Sequence, residues 1–387
     1  MNLVHWVSLL FVLCVVQPPL NAQRCIFTDT SLDSIFSGSS VPTGRDFIPV
    51  PVVFNVLYEH ESENISDNQI LSQLEVLNAD YAAENPDLQA LPAPWRSLAG
   101  PTGIRFCLYN GPDSEGGIRR RKAEPWKYGP AFSIFHEATG GIDGIDPQKV
   151  LNIWITQLEK PLLGYANPVH QYLPSESGVV ADYRCVGSLG VAFWNQPFHL
   201  GRTLTHEIGH YFGLLHVWGN FEEECAEDDG INDTPAQYEA LYHCPEQVNG
   251  CADEANVANF MNLVDDACMA MFTKGQGARM QAYIAEFLPN LGQYSSCADG
   301  QTWYLPVSEE EFWVFPNPNQ GNFVVQHTLG ETGTLNLYDA AGRLVYSSEI
   351  NTPNMQISLH QRLANGLYFL ALSTTSKTVV TKMIIRL

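Results

Sequence analysis

From Phe47 to Tyr58 the chain runs almost without a polar side chain, FIPVPVVFNVLY, between turn residues. A short run this rich in Val and Phe predicts a buried strand. The next apolar residues are spaced differently. In SDNQILSQLEVLNADYAAE (66–84), Ile70, Leu74, Val76, Leu77 and Tyr81 fall roughly on one helical face. Ser66 followed by Gln69 is a capping-box pattern that would open that helix. IRFCLY (104–109), VLNIWIT (150–156) and GVVADY (178–183) predict further short strands, and GRTLTHEIGHYFGLL predicts a helix starting near Thr203 to Thr205 and ending at Gly213. Strands alternating with helices predict a mixed layer fold for residues 46–298.

After about residue 300 the period changes to two. WVFPNPNQGNFVV, GTLNLYDAAGRLVYSS, MQISLHQRLANGLYFLAL and KTVVTKMIIRL are short alternating runs separated by Asn, Gly and Pro. They predict a small all-β sandwich over 313–387, after a linker at 299–312 that carries the acidic stretch SEEE. A chain of 387 residues has room for both domains.

Composition sharpens this reading at three points. Hydrophobic residues make up 45% and charged residues 16%, which excludes overall disorder. The formal net charge of -22 disfavours nucleic acid as a partner and favours solubility or divalent cations. The apolar run VSLLFVLCVV, followed by LNA, reads as a secretory leader over 1–22 and is too short to span a bilayer, although no Lys or Arg precedes it. Loss of the leader removes Cys14 and leaves cysteines 25, 107, 185, 225, 244, 251, 268 and 297, an even set suited to disulfides in an oxidising compartment. The run RRRK (119–122) reads as a solvated loop.

The chemistry concentrates in HEIGHYFGLLH (206–216). Residues four apart stack on one helical face, so His206 and His210 can offer imidazoles to one ion. Glu207 stands about 100 degrees round the helix, beside the ion without being its ligand. Gly213 can take a left-handed conformation that ends the helix and returns His216 as a third ligand. Three His ligands leave one tetrahedral position open, as in catalytic rather than structural zinc sites. Glu207 is then the general base. The extended pattern resembles the metzincin metalloproteases, which carry a Met-containing turn beneath the metal. Met261 is the candidate in ANFMNLVDDACMAMFTKGQGARM (258–280), with Met269 and Met271 as rivals.

HEIGHYFGLLH, DDGINDTPAQ (228–237) and NFMNLVDDACMAMFTKGQ together resemble the pappalysin family of metzincins, in its cytophagalysin and ulilysin-like branch. NQILSQLEVLNADYAAENPD, LNIWI, LLGYANP and LGRTLTHE resemble the same family upstream. The resemblance implies an α+β metzincin-type zincin domain, with an upper mixed sheet with helices and an irregular lower subdomain after Gly213. It implies a secreted zinc endopeptidase whose substrate lies extended in the cleft beside an edge strand. It also implies structural calcium near Asp229, Asp233 and Thr234, and crossed disulfides Cys225–Cys251 and Cys244–Cys268. QRCIFTDT resembles the family's latency element, making Cys25 a candidate thiolate cap on the zinc within a pro-segment, 23–45. One cysteine among 107, 185 and 297 would then be left over. The sequence departs from the family at Leu263, where an oxyanion-stabilising Tyr is usual, and at Ala267, where Arg-preferring relatives place an acid. The tail motifs FPNPNQGNF, LYDAAGRLV, LANGLYFLAL and KMIIRL resemble the type A C-terminal sorting domain of the type IX secretion system; an ordinary β-sandwich binding module is the alternative. Export by that machinery implies a secreted or surface-attached protein of a Gram-negative bacterium. Leu263 also leaves open a catalytically weak, zinc-stabilised surface-binding or adhesion protein.

Overall fold

The computed structural model describes residues 25, 47–111, 117–220, 225, 228–246, 248, 250–251, 254–292, 312–315, 317, 319–327, 332–340, 342–359, 363–375 and 378–385. The expected leader, the pro-segment apart from Cys25, and most of the linker lie outside them.

A six-stranded sheet organises the first domain. Strand β1 (Ile48–Tyr58) is central. Its first half pairs in parallel with β2 (Ile104–Leu108) and its second half with β3 (Ile118–Lys122). Its other edge pairs with β4 (Leu151–Thr156), and β6 (Gly178–Asp182) follows, again parallel. Residues 49 to 57 of β1 are all buried, because both edges and both faces are covered. The last strand, β5 (Gly164–Asn167), is antiparallel to β6 and forms the open edge.

Helix α1 (Asp67–Tyr81) packs beside α4 (Arg202–Tyr211), with the short helices α2 (Ala93–Leu98) and α3 (Pro125–Tyr128) in the connections. Ser66 caps α1 through Gln69 N, but the Gln69 side chain does not complete a box. It bonds instead to Val186 O (2.9 Å) and to Val191 N (3.2 Å), tying α1 to the segment that leads into α4. The RRRK run is strand β3, not a loop. Its charges are absorbed locally: Arg119 meets Asn55 and the Asp143 carbonyl, Arg120 meets Asp67 and Asn64, and Lys122 approaches Glu61.

From Phe212 to Thr273 the described residues contain isolated bridges and one short 3-10 turn, Asp266–Cys268, but no longer strand. Disulfides Cys225–Cys251 and Cys244–Cys268 cross in this stretch, and each closes a loop of about 25 residues, worth roughly 3 kcal/mol of unfolded-chain entropy. Helix α5 (Lys274–Phe287) closes the domain and opens on a capping box between Thr273 and Gln276. Cys107 is disulfide-bonded, whereas Cys25 and Cys185 are buried thiols.

The second domain has its own apolar core, including Phe323, Leu335, Leu337, Leu370 and Met383. One sheet runs β10 (Leu344–Ile350), β9 (Gly333–Asp339), β12 (Gly366–Thr374), β13 (Thr378–Ile385); the other runs β11 (Asn354–Ser358), β8 (Asn322–His327), β7 (Phe312–Phe315). All pairings are antiparallel. The alternation of period two in the sequence thus becomes inward and outward faces of two short sheets.

Candidate metal centre

Every residue of α4 is buried, so its polar side chains need partners. His206 and His210 lie one turn apart. His206 Nδ1 donates to Phe260 O (2.7 Å), and His210 Nδ1 donates to Leu214 O (2.7 Å). A carbonyl can only accept, so each Nδ1 carries the proton and each Nε2 presents a lone pair. Burial lowers the pKa of His210 to about 3, against a smaller raising effect of the Leu214 carbonyl; burial and then His210 hold His216 well below its ordinary value. His210 and His216 are therefore held neutral, the form that binds metal.

The helix ends where Gly213, at φ 81, takes the left-handed region and its Cα faces the Tyr283 ring; a β-carbon there would stand 2.5 Å from that ring. This turn brings His216 back, and its ring stacks on Trp218 with centroids 4.3 Å apart. The Nε2 atom of His210 lies 3.0 Å from that of His206 and 3.2 Å from that of His216. Ligands about 2.0–2.1 Å from a tetrahedral zinc ion stand roughly 3.3 Å apart. Convergent lone pairs at this spacing repel unless a cation lies among them, so the donor set fits zinc.

Cys25 completes the cluster. Its Sγ and the three histidine nitrogens all lie within 4.8 Å of one another, and the thiol donates to Glu207 Oε2 at 3.4 Å. Glu207 is buried against edge strand β5: a β-carbon at Gly164 would stand 3.0 Å from Glu207 Cγ.

Of the three methionines, Met261 lies beneath α4. A β-carbon at Gly209 would come within 2.5 Å of Met261 Sδ, so the helix carries glycine where the thioether crosses it. Two buried amide pairs fix this turn, Asn259 with Gln276 and Asn262 with Gln237, each bonded in both directions. Met269 and Leu263 are buried in the same main apolar core as Met261, and Met271 in a smaller one. Ala267 is exposed.

Of the expected calcium residues, Asp229 and Thr234 are bonded to each other, and Asp233 bonds to the start of α5. Asp229 Oδ1 accepts from Thr234 Oγ1 (2.6 Å) and Ile231 N (3.1 Å), while its buried Oδ2 has no hydrogen-bond partner among the described residues. Burial pushes its carboxyl up to about 8, against the bonds from Thr234 and Ile231. Asp233 points elsewhere, accepting from Thr273 Oγ1 (2.7 Å) and Gly275 N (2.8 Å) at the start of α5.

The family described as pregnancy-associated plasma protein-A matches residues 143–285, and the secretion system C-terminal sorting domain matches 313–386. An extracellular metalloprotease of Verticillium alfalfae is 30% identical over 252 residues, covering 62% of this chain and 78% of the relative. The chain belongs to the pappalysin family. Another relative of this pappalysin, an extracellular metalloprotease of Pyricularia oryzae, is 30% identical over 234 residues, or 58% of this chain and 69% of that one. Mature mirolysin of Tannerella forsythia, solved in complex with a cleaved peptide, is similar at 35% identity and TM-score 0.57, covering 62% of this chain and 92% of that chain. A promirolysin mutant from the same organism matches at 33% identity and TM-score 0.59, over 64% and 84%. The protein is thus a metalloendopeptidase acting on peptide bonds, with a zinc cofactor implied by its family, rather than a zinc-stapled adhesion protein. Its sorting domain makes it a secreted or surface-attached protein of Gram-negative bacterial type. Among the described residues no helix is long and apolar enough to cross a membrane.

Sequence patterns gave no warning of three features of this pappalysin's site. Strand β5 is only four residues long, GYAN. Helix α5 lacks a clean apolar stripe, although the Thr273–Gln276 capping signature was there to be read. Arg202 looks like an ordinary charge at a helix start, yet it is 4% exposed.

Proposed function

We propose that His206, His210 and His216 bind one zinc ion and that Glu207 is the general base of peptide hydrolysis. The observation that carries this reading is the convergence of three Nε2 atoms within 3.0–3.2 Å steps, with Glu207 beside them. Zinc held there supplies a Lewis acid that polarises the scissile carbonyl and lowers the pKa of water towards about 7. Glu207 takes the proton of the attacking water and delivers it to the leaving amine. The open edge of β5 offers backbone groups to an extended peptide, which places the scissile bond between β5 and α4. Leu263 provides no hydrogen-bond donor for the developing oxyanion, a deficit of about 2.7–4 kcal/mol where no other group substitutes.

In this reading Cys25 is the latency switch, since its thiol lies within 4.8 Å of the three histidine nitrogens and donates to Glu207, and would cap a zinc ion held there. Maturation removes the leader (1–22) and pro-segment (23–45) by a cut near Arg45; the linker at 299–312 then separates protease from sorting domain. Calcium is supported only at Asp229, whose Oδ2 is buried and open to a hard cation; Asp233 belongs to the α5 cap instead.

The test is peptidase activity on the full chain before and after chelation. Activity lost on chelation and restored by zinc supports the site; activity indifferent to chelation sinks it. Cys25→Ala is expected to raise the activity of the unprocessed chain at least tenfold. An unchanged rate would remove Cys25 from the mechanism.

A further inference from the structure

Arg202 opens α4 one turn before His206, in a setting where a guanidinium is tolerated only if its charge and donors are matched. Its partners come from opposite sides of the helix. Nη2 lies 2.7 Å from Asp87 Oδ2 and 3.6 Å from Asp80 Oδ1, in and just after α1. Nη1 donates to the Asp266 carbonyl (2.9 Å), and the guanidinium carbon stands 5.7 Å from the centre of the Phe260 ring. Phe260 and Asp266 bracket the Met261 turn. The Asp266 carboxylate reaches back, its Oδ2 accepting from Leu200 N (2.8 Å) and Arg202 N (3.4 Å). It thereby closes the start of α4, where Gly201 makes no side-chain cap. Phe260 is the residue whose carbonyl holds His206 Nδ1 at 2.7 Å.

We propose that Arg202 is a positioning residue for the metal centre, fixing through Phe260 the carbonyl that sets the orientation and tautomer of His206. This rests on His206 being a zinc ligand. The partner of a ligand's second nitrogen decides where its lone pair points, and losing such outer contacts typically costs about 10–100-fold in metal affinity. The ring gripped by Arg202 and the carbonyl bonded to His206 belong to one residue, so movement of one turns the other. Lysine cannot replace the arginine here. A flat fork serves two carboxylates and a carbonyl while its face covers an aromatic ring, whereas an ammonium is a point charge.

The experiment uses the full chain as wild type, Arg202→Lys, Phe260→Leu, the double variant and Asp87→Asn. Three quantities are read: zinc affinity by competition with a chromogenic chelator, the visible spectrum of the cobalt-substituted form, and the thermal midpoint of the metal-free form. Arg202→Lys is expected to weaken zinc binding about tenfold and to shift the cobalt bands. Phe260→Leu does the same to a smaller extent, and the double variant is no worse than Arg202→Lys, because the two act along one path. Asp87→Asn, which keeps a neutral acceptor for the guanidinium at a position that is 44% exposed, lowers the thermal midpoint and weakens zinc less than Arg202→Lys does. A folded Arg202→Lys with wild-type affinity and spectrum overturns the proposal. If Arg202→Lys fails to fold, Phe260→Leu decides by the same readouts. A wild type that binds no zinc would instead overturn the metal-centre reading beneath it.

Discussion

The two sides of the metal centre are built in opposite ways. His206 and His210 sit on one turn of a buried helix, where backbone hydrogen bonds and period set their spacing and the Phe260 and Leu214 carbonyls hold their rings. His216 lies in a stretch whose described residues form no strand beyond isolated bridges, and it is placed by a left-handed glycine, a stacked Trp218 and nearby crossed disulfides. The helical side takes the spacing of its ligands from local geometry, and a change there acts through the contacts that orient the rings. The loop side depends on contacts between residues far apart in sequence, so removing one of them frees the chain.

The largest effect expected from this contrast is at His216. A zinc-binding energy on the order of 10–16 kcal/mol shared among the ligands makes each worth roughly 3 kcal/mol or more. His216→Ala should therefore weaken zinc binding at least about a hundredfold while α4 keeps its helical protection in hydrogen exchange. Loss of that protection would show that the two sides are not independent.

On the helical side, Asp80 is buried behind α4, hydrogen-bonded to Thr205 Oγ1 at 2.8 Å and facing Arg202 and Asp266. Burial pushes its carboxyl up to about 6 from 3.8, with Arg202 and Thr205 pulling it down and Asp266 adding to the rise. A raised carboxyl favours the folded state while it is protonated. That contribution is full below about pH 4 and lost as pH rises through about 6. At 1.36 kcal/mol per pKa unit it is worth up to about 3 kcal/mol. Relative to wild type, Asp80→Asn should gain stability between pH 4 and pH 7 by up to this amount in denaturant titrations. Parallel profiles would place the strain elsewhere.

The smallest effect is a packing one. Gly209→Ala brings a β-carbon to within 2.5 Å of Met261 Sδ and should cost about 1–3 kcal/mol. Combined with Met261→Ala it should cost less than the sum of the two single changes, since the second removes the clash created by the first. Strict additivity in thermal unfolding would mean that Met261 does not bear on this turn of the helix.

The same contrast governs what could be read from the chain. The offsets within HEIGHYFGLLH are a local code, so the three clustered histidines, Glu207 and the helix end were visible together. The sandwich was visible for the same reason, since strands such as β8 and β12 alternate over short stretches between turn residues. Strand β3 was misread because its arginines look solvated until Asp67, Asn64 and Asn55 are brought beside them. Asp233 was grouped with Asp229 because they are near in sequence, whereas the start of α5 draws its carboxylate away. No local pattern could reveal Arg202, whose partners stand at 80, 87, 260 and 266.

The most direct test of the central claim is digestion of an unbiased peptide library by the processed enzyme beside Glu207→Ala, with zinc content measured in both. The account predicts one zinc per chain in each, and cleavage by the wild type alone. Equal cleavage by a Glu207→Ala protein that still holds its zinc would contradict it.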